Sequence, residues 1–261
     1  MSGKYSQMER RKFIRGGAAG VMALAGSKVG LAASRAIGPE PELIEWRTYE
    51  LRFGANQELL TSYLQDALSP ALDRKGATQF RLFKEYGDPN PARLYAMISY
   101  PDAATYLAGQ DLTEDASYQT AATDYNAVDP EKPLYTRYSS WLLRAFTGMP
   151  QAVAPDADAG LFELRLYEGG TDDAVRRKIR MFNEYEFEIF DDTGLKPVFF
   201  GDLIAGPLQP ALLYLLQFPD MEARDAAWSQ FGSNETWNRI KGLPEFANSV
   251  SNIRRTFLLP L

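Results

Sequence analysis

The chain reads as an α+β protein, two β-α-β-β-α-β units in tandem that pair into one barrel. Three observations predict this. First, residues recur at an offset of 118: Leu43, Glu45, Arg47, Tyr49 and Glu50 return as Leu161, Glu163, Arg165, Tyr167 and Glu168. Asp73, Gly76, Pro89, Ala108 and Arg137 return as Asp191, Gly194, Pro207, Ala226 and Arg255. Second, the offset holds over about 95 residues without an insertion, a period too long for a solenoid repeat and suited to a duplicated domain. Third, strand and helix periodicities alternate in the same order in both halves.

In the first unit, residues 43–146, Ile44 to Leu51 alternates and predicts a strand. Residues 56–75 place Leu59, Leu60, Tyr63, Leu64, Leu68 and Leu72 at helical spacing. Pro70 predicts a kink or split there, and Gly76 a C-terminal cap. Strands follow over 79–86 and 94–100, separated by the turn from Gly87 to Pro91. Asp102 is the expected N-cap of a helical region over 103–126 that breaks near 111–113. A long strand over 134–146 ends the unit. Residues 147–160, with Pro150 and Pro155, are the linker.

The second unit, 161–261, repeats the order. A strand over 161–168 precedes a helix over 172–193 that Gly194 ends. Strands over 197–204 and 212–218 flank the Gly206-Pro207 turn. A helical region over 221–240 breaks at Gly232 to Asn234, and a strand over 252–259 closes the unit. Each half is thus a ferredoxin-like unit, with helices on one sheet face and the other bare. Pressing two bare faces together removes exposed apolar area and gives a pseudo-dimeric barrel with helices outside.

The N-terminus is separate. Residues 1–37 carry seven Lys/Arg against one Glu, a net +6, which leaves −12 on 38–261 of a chain whose total is −6. Arg10-Arg11-Lys12-Phe13-Ile14-Arg15, the apolar stretch from Gly16 to Ala33 and the small residues up to Ala36 resemble a twin-arginine export signal, with Glu9 departing from the usual Ser or Thr. The implied fate is export to the periplasm or beyond, with cleavage near residues 32–36. The acidic remainder argues against nucleic acid and anionic membranes as partners.

The chain has no Cys and no His. Disulfides, thiolate chemistry, a Ser-His-Asp triad and a His-ligated haem are therefore excluded. Proton transfer must use Asp, Glu, Tyr, Lys or water. No phosphate loop, dinucleotide fingerprint or zinc spacing is present, and the reading calls for no metal and no cofactor.

The motifs Glu45-x-Arg47-x-Tyr49 and Glu163-x-Arg165-x-Tyr167, with Tyr100-Pro101-Asp102 and Phe218-Pro219-Asp220 after the third strand of each half, resemble the NIPSNAP family. The resemblance covers 43–146 and 161–261. It implies a dimeric α+β barrel and little about chemistry.

Parity along the strand over 161–168 separates Phe162, Leu164 and Leu166 from Glu163, Arg165 and Tyr167. The expectation is that the apolar set meets the helices and the polar set lines the barrel lumen. Glu45, Arg47 and Tyr49 would add the same groups from the other half. Arg137 and Arg255 are candidates to extend the cluster, against a reading as exposed strand ends. Three roles stay open: a salt-bridge network that fixes the barrel, a pocket for a small acidic or carbonyl-bearing molecule held by Arg, or cofactor-independent oxygenase or isomerase chemistry with Glu or Tyr moving a proton. An interaction protein with an inert lumen is a further alternative. Glu184 and Glu188 read as a solvated helix face, Trp228 and Trp237 as core or pocket wall, and Asp202 as a residue of the lumen or its rim.

Overall fold

The computed structural model describes residues 39–261, so the twin-arginine segment lies outside the described residues. Alternating and continuous apolar runs form eight strands: β1 (Leu43–Leu51), β2 (Gln79–Glu85), β3 (Arg93–Tyr100), β4 (Tyr135–Ala145), β5 (Leu161–Glu168), β6 (Lys196–Ala205), β7 (Ala211–Phe218) and β8 (Asn252–Pro260). They close into a barrel in the order β1-β3-β2-β8-β5-β7-β6-β4. Each half contributes one antiparallel four-stranded sheet. The seams are β2 on β8, with Phe83 opposite Pro260, and β4 on β6, with Ala145 opposite Gly201. Both seams are short, so β4 before Leu142 and β8 before Leu258 have a strand partner on one side only.

The first helix of each half spans 57–74 and 172–193, and each contains a π turn, Tyr63–Leu68 and Phe182–Glu186. Ser69 N–H donates to the Leu64 carbonyl, and Phe187 N–H to the Phe182 carbonyl, five residues back in both cases. Pro70 therefore follows a π turn instead of splitting the helix. The second half forms the same turn with Glu188 at the matching position, so proline is not its cause. Asn56 and Thr171 cap the two N-termini, accepting from Leu59 N–H at 3.0 Å and Ala174 N–H at 3.1 Å. Gly194, at φ +74°, ends the second in the left-handed conformation that glycine adopts without strain.

The later helical regions break as their sequences predict, into Ala103–Ala108, Ala116–Ala121 and Thr123–Asn126, and into Met221–Ser233 and Glu235–Ile240. Asp102, Asp115, Asp220 and Asn234 cap them through backbone N–H groups at 2.7 to 3.0 Å.

The barrel interior is apolar. Trp46, Phe83, Met97, Phe162, Leu164 and Leu215 from both halves fill it, and Ala152 of the 147–160 connection packs on the same cluster. Tyr49 and Tyr167 instead belong to two separate clusters beneath the helices. This corrects the expected orientation: Glu45, Arg47, Tyr49, Glu163, Arg165 and Tyr167 face the helices, and the lumen is not polar. The reason is that the strands are buried on both faces, and β7 has all eight residues buried. Apolar parity then cannot tell inside from outside. A sealed interior cannot solvate charge, whereas the space under helices opens to water at their ends.

Candidate active site beneath the helices of the second half

Glu163 is fully buried on β5. Its carboxylate accepts from Arg165 Nη1 at 2.5 Å, Arg224 Nε at 2.8 Å, Arg224 Nη2 at 3.1 Å and Trp228 Nε1 at 2.8 Å. Burial opposes its charge, but the two guanidiniums and the indole N–H outweigh burial and hold its pKa below the ordinary value of 4.5. A carboxylate so saturated anchors its donors and is a poor base.

Arg165 donates through Nη2 to Tyr167 Oη at 3.1 Å, and its guanidinium lies over the Trp228 ring at 4.3 Å. Burial works against its charge. Tyr214, Tyr167 and Glu163 outweigh that and raise its pKa. Tyr214 Oη donates to Tyr167 Oη at 2.9 Å. The Arg165 Nε–H is buried and has no hydrogen-bond partner among the described residues. Leaving such a donor unmade costs about 1–3 kcal/mol.

Arg165 is one of the residues lining a cavity of about 520 Å³. Aromatic walls come from Phe190, Trp228, Phe231, Trp237 and Phe246, and Tyr167 and Tyr214 also line it. Lys178 and Glu186, both buried, pair at its edge, and Lys178 Nζ sits 4.4 Å from the Phe182 ring centroid. Glu186 follows Lys178 by eight residues. At 3.6 residues per turn that spacing would leave them about 80° apart around the helix. The extra residue of the π turn restores the alignment. Burial raises the Glu186 carboxyl above its ordinary range despite Lys178 and Arg165.

The first half holds the same pair in a different setting. Glu45 accepts from Arg47 Nε at 2.7 Å and Nη2 at 2.9 Å, Tyr100 Oη at 3.1 Å and Ser140 Oγ at 2.5 Å. Arg47 lies 5.6 Å from the Tyr138 ring centroid. Burial pushes Tyr49 up to about 12. The adjoining cavity, about 420 Å³, is more polar, with Gln110, Asp111, Thr113 and Gln119 among its walls.

Arg137 and Arg255 are both exposed, and Arg137 donates to the Thr136 carbonyl. They are not structural counterparts. Arg255 stands opposite Arg165, whereas Ser140 stands opposite Arg47, so the offset of 118 slips by three residues on the last strand. Asp202 pairs with Arg144 at 3.1 Å on the β4–β6 seam, away from both cavities. Glu184 and Glu188 are exposed, and Trp228 and Trp237 are pocket walls, as their positions predict. Lys178, Glu186 and Arg224 escape a reading by strand parity. Their signal lies in the repeat: 118 residues earlier stand Leu60, Leu68 and Tyr106.

No protein-family profile and no curated protein matches the chain. Among solved structures, a protein from Lactobacillus acidophilus provisionally called a monooxygenase superposes with a TM-score of 0.56 at 11% identity, covering 85% of this chain and 94% of that one. Another from Fusobacterium nucleatum, with the same provisional name, gives 0.55 at 12% identity over 85% and 93%. A NIPSNAP domain protein from Burkholderia xenovorans covers 39% of this chain and 94% of its own length, at 15% identity and a TM-score of 0.34. The fold is that of the dimeric α+β barrels, with both barrel halves on one polypeptide.

Proposed function

We propose that this chain is an exported NIPSNAP-like barrel, duplicated in tandem, that binds a small molecule beneath the helices of its second half. The ligand class is an aromatic or apolar body carrying a carboxylate or carbonyl oxygen. The observation that carries this is the buried, unpartnered Arg165 Nε–H at the border of an aromatic-walled cavity of about 520 Å³. An acceptor oxygen would satisfy that donor, and the rings would cover the ligand's apolar body. Export rests on the twin-arginine run, the apolar stretch after it and the small residues up to Ala36. A second reading is cofactor-independent oxygenation or isomerisation: two fold relatives carry the provisional name monooxygenase, and Glu186 places a carboxylate beside the cavity.

Trp228 and Trp237 make the site its own reporter. Titration with aryl carboxylates, phenols and quinone-like compounds should quench their fluorescence saturably. The response should weaken at least tenfold in Arg165→Ala and persist in Arg47→Ala. A panel with no saturable response, or equal loss in both variants, overturns the assignment.

A further inference from the structure

The two halves differ most at the first helix. Leu60 and Leu68, buried in the first half, are replaced 118 residues later by Lys178 and Glu186, also buried. A buried ion pair in place of two leucines is seldom a gain in stability, since desolvation offsets the attraction. The flanking positions Leu64 and Leu72 remain apolar as Phe182 and Phe190. Lys178 and Glu186 both border the cavity, beside Phe190. Glu186 takes Lys178 on Oε1, and its Oε2 accepts no hydrogen bond among the described residues.

We propose that Glu186 is a catalytic base that removes a proton from the carbon next to a carbonyl in an aryl-bearing substrate, with Arg165 Nε–H and Lys178 holding the enolate oxygen. This rests on the ligand pocket proposed above. In the step, a Glu186 oxygen bonds the proton as the C–H bond breaks. The C–H pair becomes the C=C of the enolate, and the carbonyl π pair moves onto oxygen. Return of the proton to carbon reverses the step, so no oxidant or other co-reactant is needed.

Charge favours the assignment. Lys178 faces the Glu186 carboxylate before the step and the enolate after it, so the buried ammonium always has an anionic partner. The other titratable groups lining the cavity are Arg165, Tyr167, Tyr214 and the exposed Lys241, whose Nζ donates to Asn238 Oδ1 at 2.6 Å, and none competes as a base. Arg165 is a cation and Tyr167 already accepts from two donors. Burial raises Tyr214 far above the neutral range. Glu163, the other carboxylate nearby, is saturated by Arg165, Arg224 and Trp228.

The test uses phenylpyruvate and 1-phenylpropan-2-one in deuterated buffer, following loss of the α-proton signal by NMR. Binding of the same probes is followed by tryptophan fluorescence. The intact protein should exchange at least one probe tenfold or more above protein-free buffer. Glu186→Gln should bind that probe as well as wild type and exchange it at the buffer rate. The double variant Lys178→Leu with Glu186→Leu recreates the side chains of the first half and should be folded and silent in exchange. Binding without accelerated exchange overturns this proposal alone, as does exchange that survives in the double variant. Absence of binding by either probe overturns both this proposal and the pocket reading that supports it.

Discussion

The two halves of the barrel carry the same buried Glu–Arg pair and surround it differently. Around Glu45 the further donors are Tyr100 and Ser140, from strands of the same sheet. Around Glu163 they are Arg224 and Trp228, both from the helix Met221–Ser233. In the first half the pair ties strand to strand within one sheet, and in the second it ties sheet to helix. The cavity of the first half is polar, and that of the second is walled by aromatic rings and edged by a second ion pair. The shared feature reads as architecture and the unshared features as function. A Glu–Arg motif that first draws attention because it occurs twice is, for that reason, the weaker guide to chemistry.

The largest expected effect tests the shared pair. Glu163→Ala leaves two guanidiniums and an indole N–H without their acceptor, and should cost about 3–5 kcal/mol in denaturant unfolding. Glu45→Ala leaves one guanidinium and two hydroxyls, and should cost less. Equal costs would mean that the helix contacts of the second half contribute nothing beyond the pair itself. The pH dependence has a definite sign. Glu163 is held below 4.5 in the fold, so its contribution is present above that value and is lost as pH falls through the depressed folded value. The stability gap between wild type and Glu163→Gln should therefore close in acid. A gap that widened in acid would show that the carboxylate is not the stabilised form.

A middle-sized effect tests what the aromatic wall adds. Trp228→Gln installs the residue found 118 positions earlier, Gln110. The amide can still donate to Glu163, but the ring over Arg165 at 4.3 Å is gone. The loss should be about 1–2 kcal/mol of stability, from the cation–π contact and the vacated ring volume. Ligand affinity should fall about tenfold. Unchanged affinity would confine the ligand to the far side of the cavity, near Phe246 and Val250.

Much of this was legible in the sequence. The repeat predicts two equivalent units, the strand order follows from periodicity, and Asp102 and Gly194 mark helix ends by side-chain and backbone preference alone. The direction of the β1 and β5 side chains was not legible. Both faces of these strands are buried, so Trp46 and Phe162 could equally have met helices or the lumen. The π turn was hidden too, because it leaves no residue signature common to 63–68 and 182–186. Without it, Lys178 and Glu186 stand about 80° apart around the helix, and their pairing is harder to read. The substitution of Leu60 and Leu68 by charges was open to view, but only a comparison of the halves for difference instead of likeness would have noticed it.

The smallest expected effect concerns the last strands. Arg255 stands opposite Arg165 in the β5–β8 ladder, yet its side chain is exposed. Arg137 is exposed and donates to its neighbour's carbonyl. Substitution of either by Ala should change stability by no more than about 0.5 kcal/mol, as at other surface sites without special contacts. The informative readout is ligand affinity at low and high salt. If Arg255 only faces solvent, both variants bind like wild type at every ionic strength. If Arg255→Ala weakens binding several-fold at low salt and not at high salt, it steers an anionic ligand toward the cavity. Arg137→Ala is the matched control, because the three-residue slip of the last strand leaves it without the place opposite the buried arginine that Arg255 holds.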